Sequence, residues 1–330
     1  MDNARTLKTV VTTLDTSPAA ASSIPTGARR LTVVGAPSIA QRKPDWMKRH
    51  IPLAGPNYRE LKKTMRGAEL HTVCEEAACP NIHQCWEQRE ASFLIGGEDC
   101  TRRCGFCQIA TGKPKDYDTQ EPRRVAQVVA DMSLHFAVVT GVARDDLPDG
   151  GAWLYAETAR QIHDLVPGCG VELLIPDFSG SQESLREVLS AEPEVLAHNL
   201  ETVRRVFRHT RPAFRYDRSL EVLSRTRDWA PSIARKSNLI LGMGETEDEV
   251  YEAMDDLADA GCQILTIGQY LQPTHNHLAL QRYAAPDEYD RYREYGRQVG
   301  FDHVEAGPLV RSSFMAGEQA INAGAWTRPA

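Results

Sequence analysis

The sequence predicts an α/β protein built on a parallel sheet, and three observations carry that prediction. Short apolar runs alternate with longer stretches of helical periodicity between about residues 91 and 300. Each apolar run ends in a polar or glycine-containing segment of the kind that gathers at the carboxyl edge of parallel strands. The chain has 330 residues, 42% hydrophobic and 25% charged, enough to bury such a sheet between helical layers. Repeated strand-helix order needs parallel pairing and helical cover, which a β/α barrel and an open parallel sheet both satisfy.

Residues 1–42 are rich in Thr, Ser, Ala, Pro and Arg and are expected to be flexible, with a short ordered stretch at "RLTVVG". This segment holds no continuous apolar run of signal-peptide or membrane-span length, so a cytoplasmic protein is expected. Residues 43–90 form an N-terminal extension in which Pro56 and Gly67 bracket a helix over 57–66. Strands are predicted at 92–97, 135–141, 170–176, 194–200, 237–244 and 263–270. Helices are predicted at 121–133, 151–166, 181–190, 219–229, 246–261 and 286–300. The segments "TGVARDD", "IPDF", "HN", "GMGET" and "QYLQP" then share one mouth, where the chemistry is expected. A formal net charge of -7 gives no global argument for a nucleic-acid partner.

Six of the eight cysteines lie between Cys74 and Cys107. Such clustering suits reduced thiols rather than an oxidised scaffold. Cys169 and Cys262 stand alone and read as buried, inert thiols. Cys100, Cys104 and Cys107 are spaced C-x3-C-x2-C directly after a predicted strand. A closed zinc site wants four ligands, whereas three thiolates on a 4Fe-4S cube leave one iron open. Upstream, Cys74, Cys79 and Cys85 follow C-x4-C-x5-C. A zinc knuckle completed by His71 or His83, or a two-zinc module using all six cysteines, is the alternative, but two iron-sulfur clusters fit the spacing better.

The Cys100 to Cys107 loop, with Phe106 before its last cysteine, resembles the signature of radical S-adenosylmethionine enzymes. From "KPDW" to "VRSSF" the chain is similar to the lipoyl synthase family, through "LHTVCEEAACPNIHQCW", "CTRRCGFC", "RDDLPDGG", "VELLIPDF", "HNLETV", "LGMGET", "LTIGQYLQPTHNHL" and "GPLVRSSF". The resemblance implies a partial, six-stranded TIM-like β/α barrel over 91–300, with a C-terminal segment, 301–330, returning Ser313 to the upstream cysteines. It implies two 4Fe-4S clusters, one on Cys100, Cys104 and Cys107 with S-adenosylmethionine at the open iron, the other on Cys74, Cys79, Cys85 and Ser313. It further implies sulfur insertion at C6 and C8 of a protein-bound octanoyl-lysine, the second cluster being consumed as the sulfur source. An octanoylated lipoyl carrier domain or H protein, an electron donor and a cluster-repair protein are the implied partners, with no nucleic acid and no membrane.

Thr140, Asn199, Glu245 and Phe106 are candidate cofactor contacts, although Glu245 could instead cap a helix and Asn199 could make a structural hydrogen bond. Arg311 is expected to steady the serine loop or the substrate. Asp145, Asp146 and Asp149 read as turn formers, and His275 and His277 as loop hydrogen-bonding residues. The chain departs from the family pattern at His83, Gly141, Ala143 and Phe314, none of which removes a cluster ligand. A zinc-stabilised carrier-binding protein without catalysis is the alternative from a different class; another radical sulfur-insertion enzyme is the nearer one.

Overall fold

The elements follow one another as α1 (Pro56–Gly67), β1 (His71–Thr72), α2 (Val73–Glu76), α3 (Ile82–Glu87), β2 (Glu90–Ile95), α4 (Glu121–Asp131), β3 (Phe136–Gly141), α5 (Ala152–Leu165) and β4 (Gly170–Leu174). Then come α6 (Gln182–Leu189), β5 (Val195–Ala197), α7 (Arg204–Thr210), α8 (Tyr216–Trp229), β6 (Ala234–Leu241), α9 (Glu247–Asp259), β7 (Ile264–Gln269), α10 (Pro286–Val299), β8 (His303–Ala306) and α11 (Ala316–Asn322). This computed structural model describes residues 43–47, 55–67, 70–76, 79–114 and 117–329. The expectations for residues 1–42, including the stretch at 30–35, lie outside the described residues.

The eight strands pair in sequence order, β2 to β8 parallel and β1 antiparallel to β2. This is the partial β/α barrel, its six predicted strands being β2 to β7. The two further strands come from the extensions. β1 is only two residues long, and β8 is half-exposed over His303, Val304 and Glu305, so neither leaves an apolar run to read. β6 begins at Ala234, three residues before the predicted start, because its first turn of sequence hides two charges. Lys236 points inward to Glu172 at 2.7 Å, and Arg235 donates outward to the carbonyls of Gly261, Pro231 and Ile233.

Alternate strand residues divide the core. Phe93, Val139, Leu173 and Leu196 share one apolar layer with α4, α5 and α6, while Leu239, Leu265 and Ile267 share another with α9 and α10. Strands covered on both faces read as continuous apolar runs, which is why β2, β3 and β7 were legible. Helix signals agree: α9 opens with a capping box between Thr246 and Glu249, and α10 runs from Pro286 to a left-handed Gly300.

The opposite strand face turns into the barrel. Its amino-terminal end is closed by the C-terminal segment, where Phe136, Val195, Ala234 and Ile264 pack with Ala316, Ala320 and Trp326. Toward the carboxyl end the interior becomes polar: Thr266 donates to Asn238 Oδ1 at 2.7 Å, and Asn238 donates to Glu201 at 2.8 Å. The fold thus closes one end with apolar packing and leaves polar chemistry at the other.

Candidate active site

The loop that follows β2 carries Cys100, Cys104 and Cys107 and is fastened by the ends of other strands. Thr101 donates through its N–H and its hydroxyl to the Ala143 carbonyl, at 3.0 and 2.9 Å. Gly105 donates to the Thr210 carbonyl at 2.8 Å and accepts from the Leu278 N–H at 2.9 Å. His277 Nε2 lies 3.0 Å from the Cys107 carbonyl; since a carbonyl only accepts, Nε2 carries the proton and Nδ1 accepts from Thr274 at 2.8 Å. His277 therefore makes the expected loop hydrogen bonds, while His275 is exposed.

Between the first two cysteines sits Arg102, which the sequence reading did not single out. Its guanidinium donates to both oxygens of Asp145, at 2.8 and 2.6 Å, and to Asp177 at 2.5 Å. Arg218 holds the other Asp177 oxygen at 2.6 Å. The Arg102 contact holds the Asp145 carboxyl down to about 2. Asp145 is thus more than a turn former, because it ties the β3 end to the cysteine loop. Asp146 pairs with Arg144, and Asp149 accepts the Gly151 and Trp153 N–H groups at the start of α5.

Cys100 Sγ accepts N–H groups from Arg102 and Ala143 at 3.4 and 3.3 Å. Only the backbone of Ala143 is used, so that departure from the family pattern leaves the contact intact. Gly141 is constrained differently: a Cβ there would stand 2.6 Å from Tyr155 Oη and 2.8 Å from the Ile95 carbonyl. The Tyr155 hydroxyl and the Ile95 carbonyl occupy the space a side chain at 141 would need. Burial raises Cys104 and pushes Cys107 up to about 12, so both are neutral thiols until a metal displaces their protons.

Around the same mouth, Thr140 donates to the Leu174 carbonyl at 3.0 Å. Phe106 is half-buried. Asn199 is buried, its amide N–H donating to Glu201 at 3.0 Å while its Oδ1 has no partner. That unpaired acceptor suits a hydroxyl or ammonium donor of a bound cofactor. Glu245 accepts the N–H groups of Gly242 and Met243 at 2.7 and 2.9 Å, so its carboxylate shapes the turn after β6 while Thr246 caps α9.

The second cysteine set forms a different kind of site. Cys74 in α2, Cys79 in the following loop, Cys85 in α3, and Arg311, Ser313 and Phe314 from the far end of the chain line one cavity. Asn81 clamps the two segments by donating to the Leu309 carbonyl at 2.6 Å. Gly268 on β7 permits the approach, since a Cβ there would stand 2.3 Å from the Val310 carbonyl. Arg311 Nη1 donates to the Val310 carbonyl at 2.7 Å, and burial lowers its pKa against the attraction of Cys79. Burial pushes Cys74 up to about 11 and Cys85 to about 12. Three thiols, a hydroxyl and a guanidinium around one cavity are a donor set that fits an anionic iron-sulfur cluster.

Of the two histidines of the zinc alternative, His71 has acidic partners at both ring nitrogens, while His83 Nδ1 is buried without a partner among the described residues. His83 stacks on Tyr58 with ring centroids 4.4 Å apart, and His71 lies 3.4 Å from both Glu76 and Glu98. Among the described residues no three His, Cys, Asp or Glu side chains converge as the ligands of one metal ion.

Comparison with known proteins decides the family. Residues 94–257 match the radical SAM superfamily, and residues 30–79 match the N-terminal domain of lipoyl synthase of the radical SAM family. The chain is 59% identical over 289 residues to a lipoyl synthase of Mycolicibacterium gilvum (strain PYR-GCK), covering 88% of this chain and 90% of that protein. The chain belongs to the lipoyl synthase family. A lipoyl synthase of Mycolicibacterium smegmatis is 60% identical, over 88% of this chain and 91% of that relative. Among solved structures, Streptococcus suis SuiB bound to S-adenosylmethionine is similar with a TM-score of 0.54 at 12% identity, covering 78% of this chain and 62% of that one. At that identity the likeness concerns the fold, and it agrees with the partial barrel.

Proposed function

We propose that this chain inserts two sulfur atoms, at C6 and C8, into an octanoyl group amide-linked to a lysine of a lipoyl carrier domain or H protein. The observation that carries the reading is the meeting of Cys74, Cys79 and Cys85 with Ser313 at one cavity, across more than half of the chain. No acid, base or nucleophile among protein side chains removes hydrogen from an aliphatic methylene, so a radical-forming cofactor has to carry the chemistry. When bound, a 4Fe-4S cluster at Cys100, Cys104 and Cys107 supplies the electron that cleaves S-adenosylmethionine, and one at Cys74, Cys79, Cys85 and Ser313 supplies the sulfur.

The chain's own residues do the holding. Arg102, Asp145 and His277 fix the first cysteine loop, and Asn199 offers its unpaired Oδ1 to the cofactor. Arg311 faces the second cavity with its positive charge, and Ser313 offers an oxygen ligand that matches iron less well than thiolate does, which suits a bond that must open. Because sulfur leaves with the product, turnover calls for an external electron donor and a cluster-repair protein. A cytoplasmic location suits cysteines clustered as reduced thiols, and among the described residues no helix is long and apolar enough to cross a membrane.

The test is anaerobic reconstitution with iron and sulfide, followed by octanoyl-lysyl peptide, dithionite and S-adenosylmethionine. The expected result is 5′-deoxyadenosine together with a peptide carrying sulfur at both carbons. A cluster-loaded protein that cleaves the cofactor and never adds sulfur contradicts the proposal.

A further inference from the structure

We propose that Arg211 supplies the buried positive charge that offsets the cluster at Cys100, Cys104 and Cys107 and makes that cluster easier to reduce. The inference rests on the reading of that loop as the S-adenosylmethionine-binding cluster site. Arg211 is 6% exposed and closes the C-terminal end of α7. The preceding residue, Thr210, accepts the Gly105 N–H at 2.8 Å, which locks this helix end to the peptide directly after Cys104.

Two guanidinium groups rest on the Phe214 ring, Arg102 at 4.3 Å and Arg211 at 3.7 Å from its centroid, and their charges are handled in opposite ways. Arg102 is neutralised by Asp145 and Asp177. Arg211 has no carboxylate within ion-pair distance among the described residues. It donates through Nη1 to the Asn199 carbonyl, and its buried Nε has no partner. The acid that faces it, Glu201, makes no ion-pair contact with it and accepts instead from Asn199 and Asn238; burial raises the Glu201 pKa and the Arg211 charge lowers it. His198 nearby is held neutral, lowered to about 4 by burial and by Arg211 itself.

A buried guanidinium with no carboxylate in direct contact is costly, and a bound anion offsets that cost. The group it addresses here is the Cys104 end of the cysteine loop, beside which the Thr210–Gly105 hydrogen bond and the shared Phe214 face hold it. A fixed positive charge beside a cysteine loop favours the cluster state with one more electron, so it raises the reduction potential. The electron comes from an external low-potential one-electron donor, and no bond is made or broken at Arg211. Arg211 is a positioning residue in this account.

The test is a redox titration of the full-length, anaerobically reconstituted protein with dithionite, followed by electron paramagnetic resonance. The open-iron cluster is identified as the signal that added S-adenosylmethionine perturbs. If the wild-type protein shows no such signal, the loop assignment itself fails. With the signal present, Arg211→Gln is expected to make its reduction at least tenfold less favourable, ~59 mV for a one-electron couple. Arg211→Lys keeps the charge and is expected to stay within about threefold of wild type, with the second cluster unmoved in both variants. An unchanged midpoint in Arg211→Gln, equal losses in the Gln and Lys variants, or a variant that weakens only cofactor binding each overturns the inference. Should the Gln variant fail to retain iron, Phe214→Leu removes the stacking face; a smaller shift in the same direction supports the inference, and no shift overturns it.

Discussion

The two cysteine sites are built from the same ligand type and held in opposite ways. The Cys100 to Cys107 loop exchanges hydrogen bonds with the segments that follow β3 and β7 and with the end of α7, and carries a guanidinium locked between Asp145 and Asp177. The cavity of Cys74, Cys79, Cys85 and Ser313 is assembled from two extensions of the barrel, with Asn81 clamping one to the other. A site that must deliver an electron repeatedly profits from rigid ligation, while a site that must surrender sulfur profits from a ligand on a separable segment.

The largest effect separates the two sites outright. Cys104→Ala is expected to abolish reductive cleavage of S-adenosylmethionine, while Cys79→Ala keeps cleavage and makes no sulfurated peptide; each variant should lose about half of its cluster iron by colorimetric assay. A Cys79→Ala protein that still yields product would erase the distinction.

The ion-pair lock comes next. Asp177→Ala leaves Arg218 without a carboxylate and Arg102 with Asp145 alone, and should cost ~1.5–3 kcal/mol in urea unfolding. It should also lower iron loading of the first site more than the second. Gly141→Ser brings a side chain against Tyr155 and the Ile95 carbonyl and should cost ~1–3 kcal/mol, partly restored by Tyr155→Phe. Thermal unfolding of the single and double variants checks this, and strict additivity would contradict the proposed contact. The smallest effect is that of Asn81→Ala, which removes the hydrogen bond to the Leu309 carbonyl, worth about 1 kcal/mol, and should raise iron loss from the second site without altering cofactor cleavage.

What the sequence showed depended on where the information lies. β2, β3 and β7 were readable because both of their faces are covered, whereas Lys236 and Arg235 masked the start of β6 by finding partners far away in sequence. The cysteine spacings announced both sites. The position of Ser313 came through family resemblance, since a serine in a turn carries no ligand signal of its own. Arg102 was overlooked although it lies between two candidate ligands, and Arg211 had no local motif at all. Both matter through contacts that only the folded barrel creates, with Asp177 for one and the Phe214 face for the other.

The central claim is that the site of Cys74, Cys79, Cys85 and Ser313 gives up sulfur and the Cys100 to Cys107 loop does not. It is tested most directly by reconstituting the protein with heavy-isotope sulfide and running a single turnover on octanoyl-lysyl peptide in the presence of ordinary sulfide. The account predicts a peptide with heavy sulfur at both carbons, and iron released while the S-adenosylmethionine-sensitive cluster signal survives. Ordinary sulfur in the product, or loss of that surviving signal in step with product, would contradict it.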